Sequence, residues 1–358
     1  MTEELMPEAP TISIVMPVFN GAKYLRHALG SLSSQSPHPA RLEIIVAEDG
    51  STDDSPGILR DASAALSITL IEGARQGNWV ASTNRALQQA TGDFICFLHQ
   101  DDAFLPARLK ALMDAATLFP DAHVFAHPVR FINGAGKSCG TWSFPAKRLR
   151  YRPSNATSHL LHLANGKRIT VHRLPPSGWL PQLVVQNNLA VPGVMFRRSL
   201  LDSVGYLDKT LRYTADWDFW LRLAARHDLV FLDTPLSEYR VHREAQTVGF
   251  AEKQSEYADN LRIALDRHLP VLNGLADISR READAFRAMA ALGIATNLWL
   301  ASRFTANPQP AATLVRALRA VGLWNALRYL RLSRVFPRAL ARLRANVNTS
   351  AQAEDESS

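Results

Sequence analysis

Two adjacent carboxylates, Asp101 and Asp102, come just after Phe94-Ile95-Cys96-Phe97-Leu98, an apolar run with the length of a buried strand. Carboxylates crowded at a strand end repel each other unless a cation joins them. The fitting cations are Mg2+ or Mn2+, hard ions that take one or two carboxylates and commonly complete their shell with substrate phosphates. The plainer alternative is that Asp101 caps the following helix. A second acidic stretch, Glu48-Asp49-Gly50-Ser51-Thr52-Asp53-Asp54, closes another short apolar run. By itself it is turn and N-cap chemistry. A third polar end, Pro17-Val18-Phe19-Asn20, closes the first apolar run of the chain.

These three tips do chemistry together only if the fold brings them side by side. Apolar runs at 12–19, 42–47, 67–71 and 94–98 read as strands, and the helical period of Tyr24, Leu25, Ala28, Leu29 and Leu32 marks a helix over 21–34, with a second over 77–90. Strands alternating with helices of this length imply right-handed crossovers and a parallel sheet covered on both faces. Ligands of such open sheets bind beyond the carboxyl ends of the strands, which here carry the polar tips. Further on, the sequence predicts a helix over 106–119, a strand over 123–131, a strand over 189–196, a helix over 216–226 and a strand pair within 229–241. The stretch 141–186, with five prolines and little periodicity, reads as a loop-rich insertion. From 251 onward the pattern is helical. The expected architecture is α/β: a mostly parallel sheet flanked by helices over 10–245, a helical basic region over 250–347, and a polar tail over 348–358 expected to be disordered.

The chain has 358 residues, of which 47% are hydrophobic, enough for one large domain with an appendage. Its formal net charge of +7 is uneven. No acidic residue lies between Asp284 and Glu354, where Arg287, Arg303, Arg316, Arg319, Arg328, Arg331, Arg334, Arg338, Arg342 and Arg344 fall. The rest of the chain is slightly acidic. Two cysteines, Cys96 and Cys139, do not make a disulfide framework, so a reducing, cytoplasmic setting is expected. The first ten residues lack the apolar core of an export signal, and no stretch reaches the ~18–20 apolar residues needed to span a bilayer. Over 310–345, arginines alternate with Leu314, Leu318, Val321, Leu327 and Leu330 at helical spacing, with Trp324 and Tyr329 nearby. Such a helix suits the surface of an anionic membrane, and equally suits packing on a domain with its arginines in water.

Four segments in order carry a resemblance. Ser13-Ile-Val-Met-Pro-Val-Phe-Asn20, Val46-Ala-Glu-Asp-Gly-Ser-Thr-Asp53, Ala90-Thr-Gly-Asp-Phe-Ile-Cys-Phe-Leu-His-Gln-Asp-Asp102 and Ala215-Asp-Trp-Asp-Phe-Trp-Leu-Arg222 resemble the signature of family 2 glycosyltransferases, which have the GT-A (Rossmann-like) fold. Tyr239-Arg-Val-His242 matches a further pattern common there, and the resemblance spans roughly 11–245. It implies an inverting transfer of a sugar from a nucleotide-diphospho-sugar, with UDP favoured, to a hydroxyl of a glycan or lipid-linked acceptor. The setting it implies is cell-envelope polysaccharide synthesis at the inner face of the plasma membrane. Pro17, Val18, Phe19 and Asn20 match the wall of the nucleotide pocket, and Asp49 the aspartate that meets the base. His99, Gln100 and Asp101 occupy the D-x-D positions, so Asp101, with Asp102 and His242, is expected at a divalent cation. Asp216 falls on the general base, a role compatible with capping its helix. The family pattern is altered at four places: Glu48 and His99 replace aspartates, Ala215 replaces a glutamate, and Thr83 stands where arginine is frequent, leaving Asn84 and Arg85 as phosphate contacts. Trp179, Trp217 and Tyr213 are candidates to stack on sugar rings, although residues like Trp217 and Trp220 more often belong to a core.

Other functions fit less well. A nucleotidyltransferase or a dinucleotide-dependent oxidoreductase needs a glycine-rich phosphate loop after the first strand, and Pro17-Val18-Phe19-Asn20-Gly21 is not one. Nucleic-acid binding through the arginine-rich end leaves the acidic tips unexplained, and no nucleic-acid partner is expected.

Overall fold

The strands that carry the polar tips are near-continuous apolar runs because both their faces are covered. In the computed structural model, which describes residues 9–35, 40–142, 156–163, 166–242, 254–302 and 309–333, β1 (Thr11–Val18), β2 (Arg41–Glu48), β3 (Ile68–Ile71) and β4 (Phe94–Phe97) are linked through α1 (Ala22–Ser33), α2 (Ser55–Ser63) and α3 (Trp79–Gln89). These four strands are parallel. Alternate side chains divide between two cores. Ile12, Ile14, Met16 and Val18 face one layer with α1, whereas Val15, Ile45 and Phe97 face the other.

The rest of the chain extends this sheet and adds a second. β5 (Ala103–Phe104), α4 (Arg108–Leu118), β6 (Val124–Ala126), β7 (Val129–Asn133), β8 (Ser138–Trp142), β9 (Thr157–His162), β10 (Arg168–Leu174), α5 (Pro176–Val185), β11 (Val194–Arg197), α6 (Leu200–Val204), α7 (Ala215–Ala224), β12 (Leu229–Leu232) and β13 (Ser237–Val241) follow in order. The large sheet has nine strands in the order β3-β2-β1-β4-β11-β6-β12-β10-β9, and a four-stranded sheet has the order β5-β13-β7-β8. β11 and β10 run against the remaining strands of the large sheet.

Three expectations are corrected here. The strand expected over 123–131 is two strands in different sheets, broken at His127-Pro128, where proline has no N–H for a ladder. The pair expected within 229–241 likewise divides between the two sheets. Much of the loop-rich insertion expected over 141–186 is regular: β9 and β10 form the antiparallel edge of the large sheet, and α5 is a helix whose residues from Ser177 to Val185 are all buried. A helix buried all round has no amphipathic period to read, and its prolines sit at the first turn and at Pro181. Residues 143–155 of that stretch lie outside the described residues, as does the tail over 348–358.

The helices α8 (Gln254–His268), α9 (Arg280–Ser302), α10 (Gln309–Val321) and α11 (Leu323–Leu332) follow. Their inner faces share one core with α5 and α7, to which Leu261, Leu265, Phe286, Met289 and Tyr329 belong. The approach of α9 to α5 is set by Gly293, where an added Cβ would stand 2.5 Å from the carbonyl oxygen of Val185. Alanine in place of glycine within a helix ordinarily gains up to ~1 kcal/mol. Here Gly293→Ala must push the two helices apart, so thermal or urea denaturation should show a net loss of about 1–3 kcal/mol; a rise in stability would show that this contact does not constrain the packing.

Candidate active site

The first polar tip is locked by Gln100. Its amide donates to the Phe19 carbonyl at 3.0 Å and accepts from the Phe19 N–H at 2.8 Å, which ties the end of β1 to the end of β4. Gly21 passes so close that a Cβ would lie 2.6 Å from the same side chain. Asn20 adopts a left-handed φ of 48° and accepts from Thr52 N–H, while its own N–H donates to Ser51 Oγ. Pro17 and Val18 are buried in the sheet, so the exposed wall here is Phe19 and Asn20, with the Arg75 guanidinium 4.1 Å over the Phe19 ring. Asp49 is buried, and its two carboxylate oxygens accept from the N–H groups of Gln76 and Gly77 at 2.6 and 3.0 Å. It therefore folds the loop after β3 back over the tip of β2. Glu48 does the same locally for Gly50 and Ser51.

Two residues expected to contact a phosphate are engaged elsewhere. Asn84 exchanges hydrogen bonds with both backbone groups of Leu207, and Arg85 donates to the carbonyls of Ile71 and Glu72. Each fastens a loop that borders the crevice.

The acidic pair stands at the tip of β4, and β13 comes to meet it. Arg240 donates its backbone N–H to Asp102 Oδ1 and its Nε to the Asp101 carbonyl, at 3.0 and 2.9 Å. His242 Nε2 lies 3.0 Å from Asp101 Oδ2, with its ring against Tyr24. His242, expected as a metal ligand, lies beside the His99, Asp101 and Asp102 group through this contact. Burial, followed by the charge of Asp101, pushes the Asp102 carboxyl well above its ordinary value against the pull of Arg240. Burial also pushes Asp101 up, but the hydrogen bond with His242 and the neighbouring imidazoles outweigh it and leave that carboxyl low. His99 is driven towards its neutral form by burial, which Asp101 only partly opposes. Ligand atoms of His99, Asp101 and Asp102 lie within 4.8 Å of one another. Among the described residues, His99 Nε2 and Asp102 Oδ2 are buried with no hydrogen-bond partner. Such atoms are costly to leave unpaired, and an oxygen–nitrogen donor set of this kind fits Mg2+ or Mn2+.

Asp216 lies on the first turn of α7. It lines a small, mostly apolar pocket with Trp79, Thr83, Phe97, Val191, Leu207, Phe219 and Trp220, and its Oδ2 accepts from Asn187 Nδ2 at 2.8 Å. Trp79 joins the two halves: its ring meets His99 edge-on at 5.4 Å, and its Nε1 donates to the Arg212 carbonyl. With Asn78 donating to the Lys209 carbonyl and Asn84 holding Leu207, α3 fastens the loop that leads into α7. Sequence reasoning did not single out Trp79, Asn187 or Arg240. Trp79 at a helix start reads as an ordinary core residue, and only the position of Arg240 two residues before His242 was a signal. Of the aromatic candidates, Trp179 and Trp217 are core residues whose Nε1 groups donate to the carbonyls of His227 and Leu183. Tyr213 is half-buried and donates to Glu256.

Residues 13–166 match the family model described as glycosyl transferase family 2. An uncharacterised glycosyltransferase of Rickettsia typhi is 26% identical over 251 residues, 69% of each chain. The GalNAc(5)-diNAcBac-PP-undecaprenol beta-1,3-glucosyltransferase of Campylobacter jejuni is 33% identical over 121 residues, 33% of this chain and 38% of its own. Among solved structures, Staphylococcus aureus TarS residues 1–349 in complex with UDP-GlcNAc superposes with a TM-score of 0.57 at 19% identity, covering 86% of this chain and 79% of that one. The matched segment contains the tips of β1, β2 and β4 and resembles glycosyltransferase family 2, and the likeness to TarS shows that the chain shares the GT-A fold.

Proposed function

We propose that this chain is an inverting glycosyltransferase, and that it moves a sugar from a UDP-sugar to a hydroxyl of a lipid-linked or envelope glycan. The observation that carries this reading is Trp79, whose ring meets His99 of the His99–Asp101–Asp102 group and which lines one pocket with Asp216. Phe19, Asn20 and Asp49 border the side on which a nucleotide would lie. The TarS structure similar in fold holds UDP-GlcNAc, which supports a donor of this class.

In this reading His99, Asp101 and Asp102 would hold a divalent cation, which would supply positive charge to a diphosphate leaving group. Arg240 and His242 keep the two carboxylates facing the crevice. Asp216 takes the proton of the attacking hydroxyl, and Asn187 fixes the rotation of its carboxylate. One carboxylate acting on one displacement leaves the anomeric carbon inverted.

A membrane-borne acceptor is supported by the outer faces of α10 and α11. Val315, Leu318, Leu323, Trp324, Leu327 and Leu330 are exposed there, Trp324 to 82%, beside Arg316, Arg319 and Arg331. An apolar stripe flanked by arginines and free of acidic residues fits the headgroup region of an anionic bilayer, with Trp324 as the interfacial anchor. No helix among the described residues is long and apolar enough to cross a membrane, so the contact would lie along the surface.

Three measurements test these assignments. Asp216→Asn should lower UDP release from UDP-GlcNAc, with water or an isolated membrane fraction as acceptor, by at least about 10²-fold. Its UDP affinity should stay near wild type, and near-normal turnover would remove Asp216 from the mechanism. Calorimetry with UDP should show affinity rising with Mn2+ in the wild type and flat in Asp101→Ala; equal Mn2+ dependence in both would refute the cation site. The full chain should float with anionic liposomes at low salt, whereas Trp324→Glu combined with Leu327→Glu should sediment at an unchanged melting temperature. Identical behaviour of the two proteins would make α11 purely structural.

A further inference from the structure

Behind the crevice, α8 carries Glu256, Asn260, Ala264 and His268 at successive intervals of four, one stripe of a helix, and that stripe faces the start of α7. Tyr213 O–H donates to Glu256 Oε2 at 3.1 Å on the solvent side. Tyr213 N–H donates to Asn260 Oδ1 at 3.3 Å, and Thr214 Oγ1 donates to the Asn260 carbonyl at 3.2 Å. Thr214 is the N-cap residue of α7, yet its hydroxyl makes no bond to its own helix. The start of α7 is tethered outward to α8 instead of being closed on itself.

One turn deeper, Asp218 repeats the pattern with charge. It is buried, and its carboxylate meets Arg222 Nε at 2.9 Å, His268 Nε2 at 3.1 Å and Arg267 Nη1 at 3.5 Å. Burial pushes this carboxyl up, but the hydrogen bond with His268 and the charges of Arg222 and His268 leave it below its ordinary value. An ionised carboxylate only accepts, so His268 Nε2 carries the proton of that bond. Arg267 also reaches Asp208 at 2.7 Å, and Arg222 donates to the carbonyls of Val204 and Tyr206. The loop before α7 and the first turns of α7 are thus held from behind by α8.

We propose that α8, which lies outside the segment matched by the family model, is a positioning element of the active site: Asn260 and the Asp218–His268 pair set the rotation of α7 at which Asp216 meets the acceptor hydroxyl. This rests on Asp216 acting as the base. Asp216 lies between Thr214 and Asp218, so a slip of α7 about its axis moves the carboxylate sideways by an ångström or more. A misplacement of that size costs on the order of 10²-fold in rate while leaving the donor subsite intact.

The test uses the full chain, with UDP-GlcNAc as donor and UDP release as the readout, alongside melting temperature and UDP affinity with Mn2+. Asn260→Ala and His268→Ala should lower kcat about 10- to 100-fold, with the donor KM and UDP affinity unchanged. His268→Gln, which restores an N–H donor, should recover most of the loss. If the buried variants do not fold, Tyr213→Phe removes the solvent-side tether alone and should still lower kcat at constant KM. Wild-type kcat in the folded α8 variants, with only the melting temperature reduced, overturns the positioning role while Asp216→Asn remains inactive. Full turnover in Asp216→Asn overturns the base assignment itself, and the positioning role with it.

Discussion

Two neighbouring carboxylates at the tip of a buried strand impose the hardest condition on this fold. Asp102 is only 1% exposed, and a buried ionised group without a partner costs several kcal/mol. The chain meets the condition from 138 residues away, by laying β13 across the strand tip so that the backbone and guanidinium of Arg240 bind both aspartates. β13 pairs with β5 directly after the acidic pair and with β7 on its other side. The small sheet is therefore the device that closes the end of the large one over Asp101 and Asp102. What it leaves unsatisfied, Asp102 Oδ2 and His99 Nε2, marks where a cation fits.

The approach to Asp216 is held by a different means. The loop from Gly205 to Thr214 has little regular structure, yet α3 fastens it from the front through Asn78, Trp79 and Asn84, and α8 from behind through Asn260 and Arg267. Its geometry comes from α3 side chains bonded to its carbonyls and from α8 groups bonded to Asp208, Tyr213 N–H and Thr214 Oγ1, which leaves Asp216 on the first turn of α7. The donor side is built the same way, since Asp49, Gln100 and Asn20 all bind backbone groups of neighbouring loops. In both places, polar residues that a motif singles out first shape the backbone.

The C-terminal helices are joined to this machinery through a common core. Phe286, Met289 and Tyr329 pack with residues of α5 and α7, so the face that α10 and α11 turn outward is fixed relative to the crevice. Six large apolar side chains stay on that outer face, although the inner face buries its own well.

The sequence by itself determined the parallel half of the sheet and the three polar tips at its edge. Near-continuous β-branched runs, regular helix spacing and turn residues are local signals that burial on both faces makes strong. The family resemblance then named Asp49, Asp101 and Asp216 together as expected site residues. The sequence could not show that α5 is a helix, because a segment buried on every side has no period, nor that the stretch around His127-Pro128 changes sheets. Only the tertiary structure decided which polar atoms were spent: Asn84 on Leu207, Arg85 on carbonyls, His242 on Asp101, and Trp179 and Trp217 in the core. A side chain's role at a site depends on which hydrogen bonds it has left after folding, and those partners lie tens to more than a hundred residues away, beyond the reach of any local pattern.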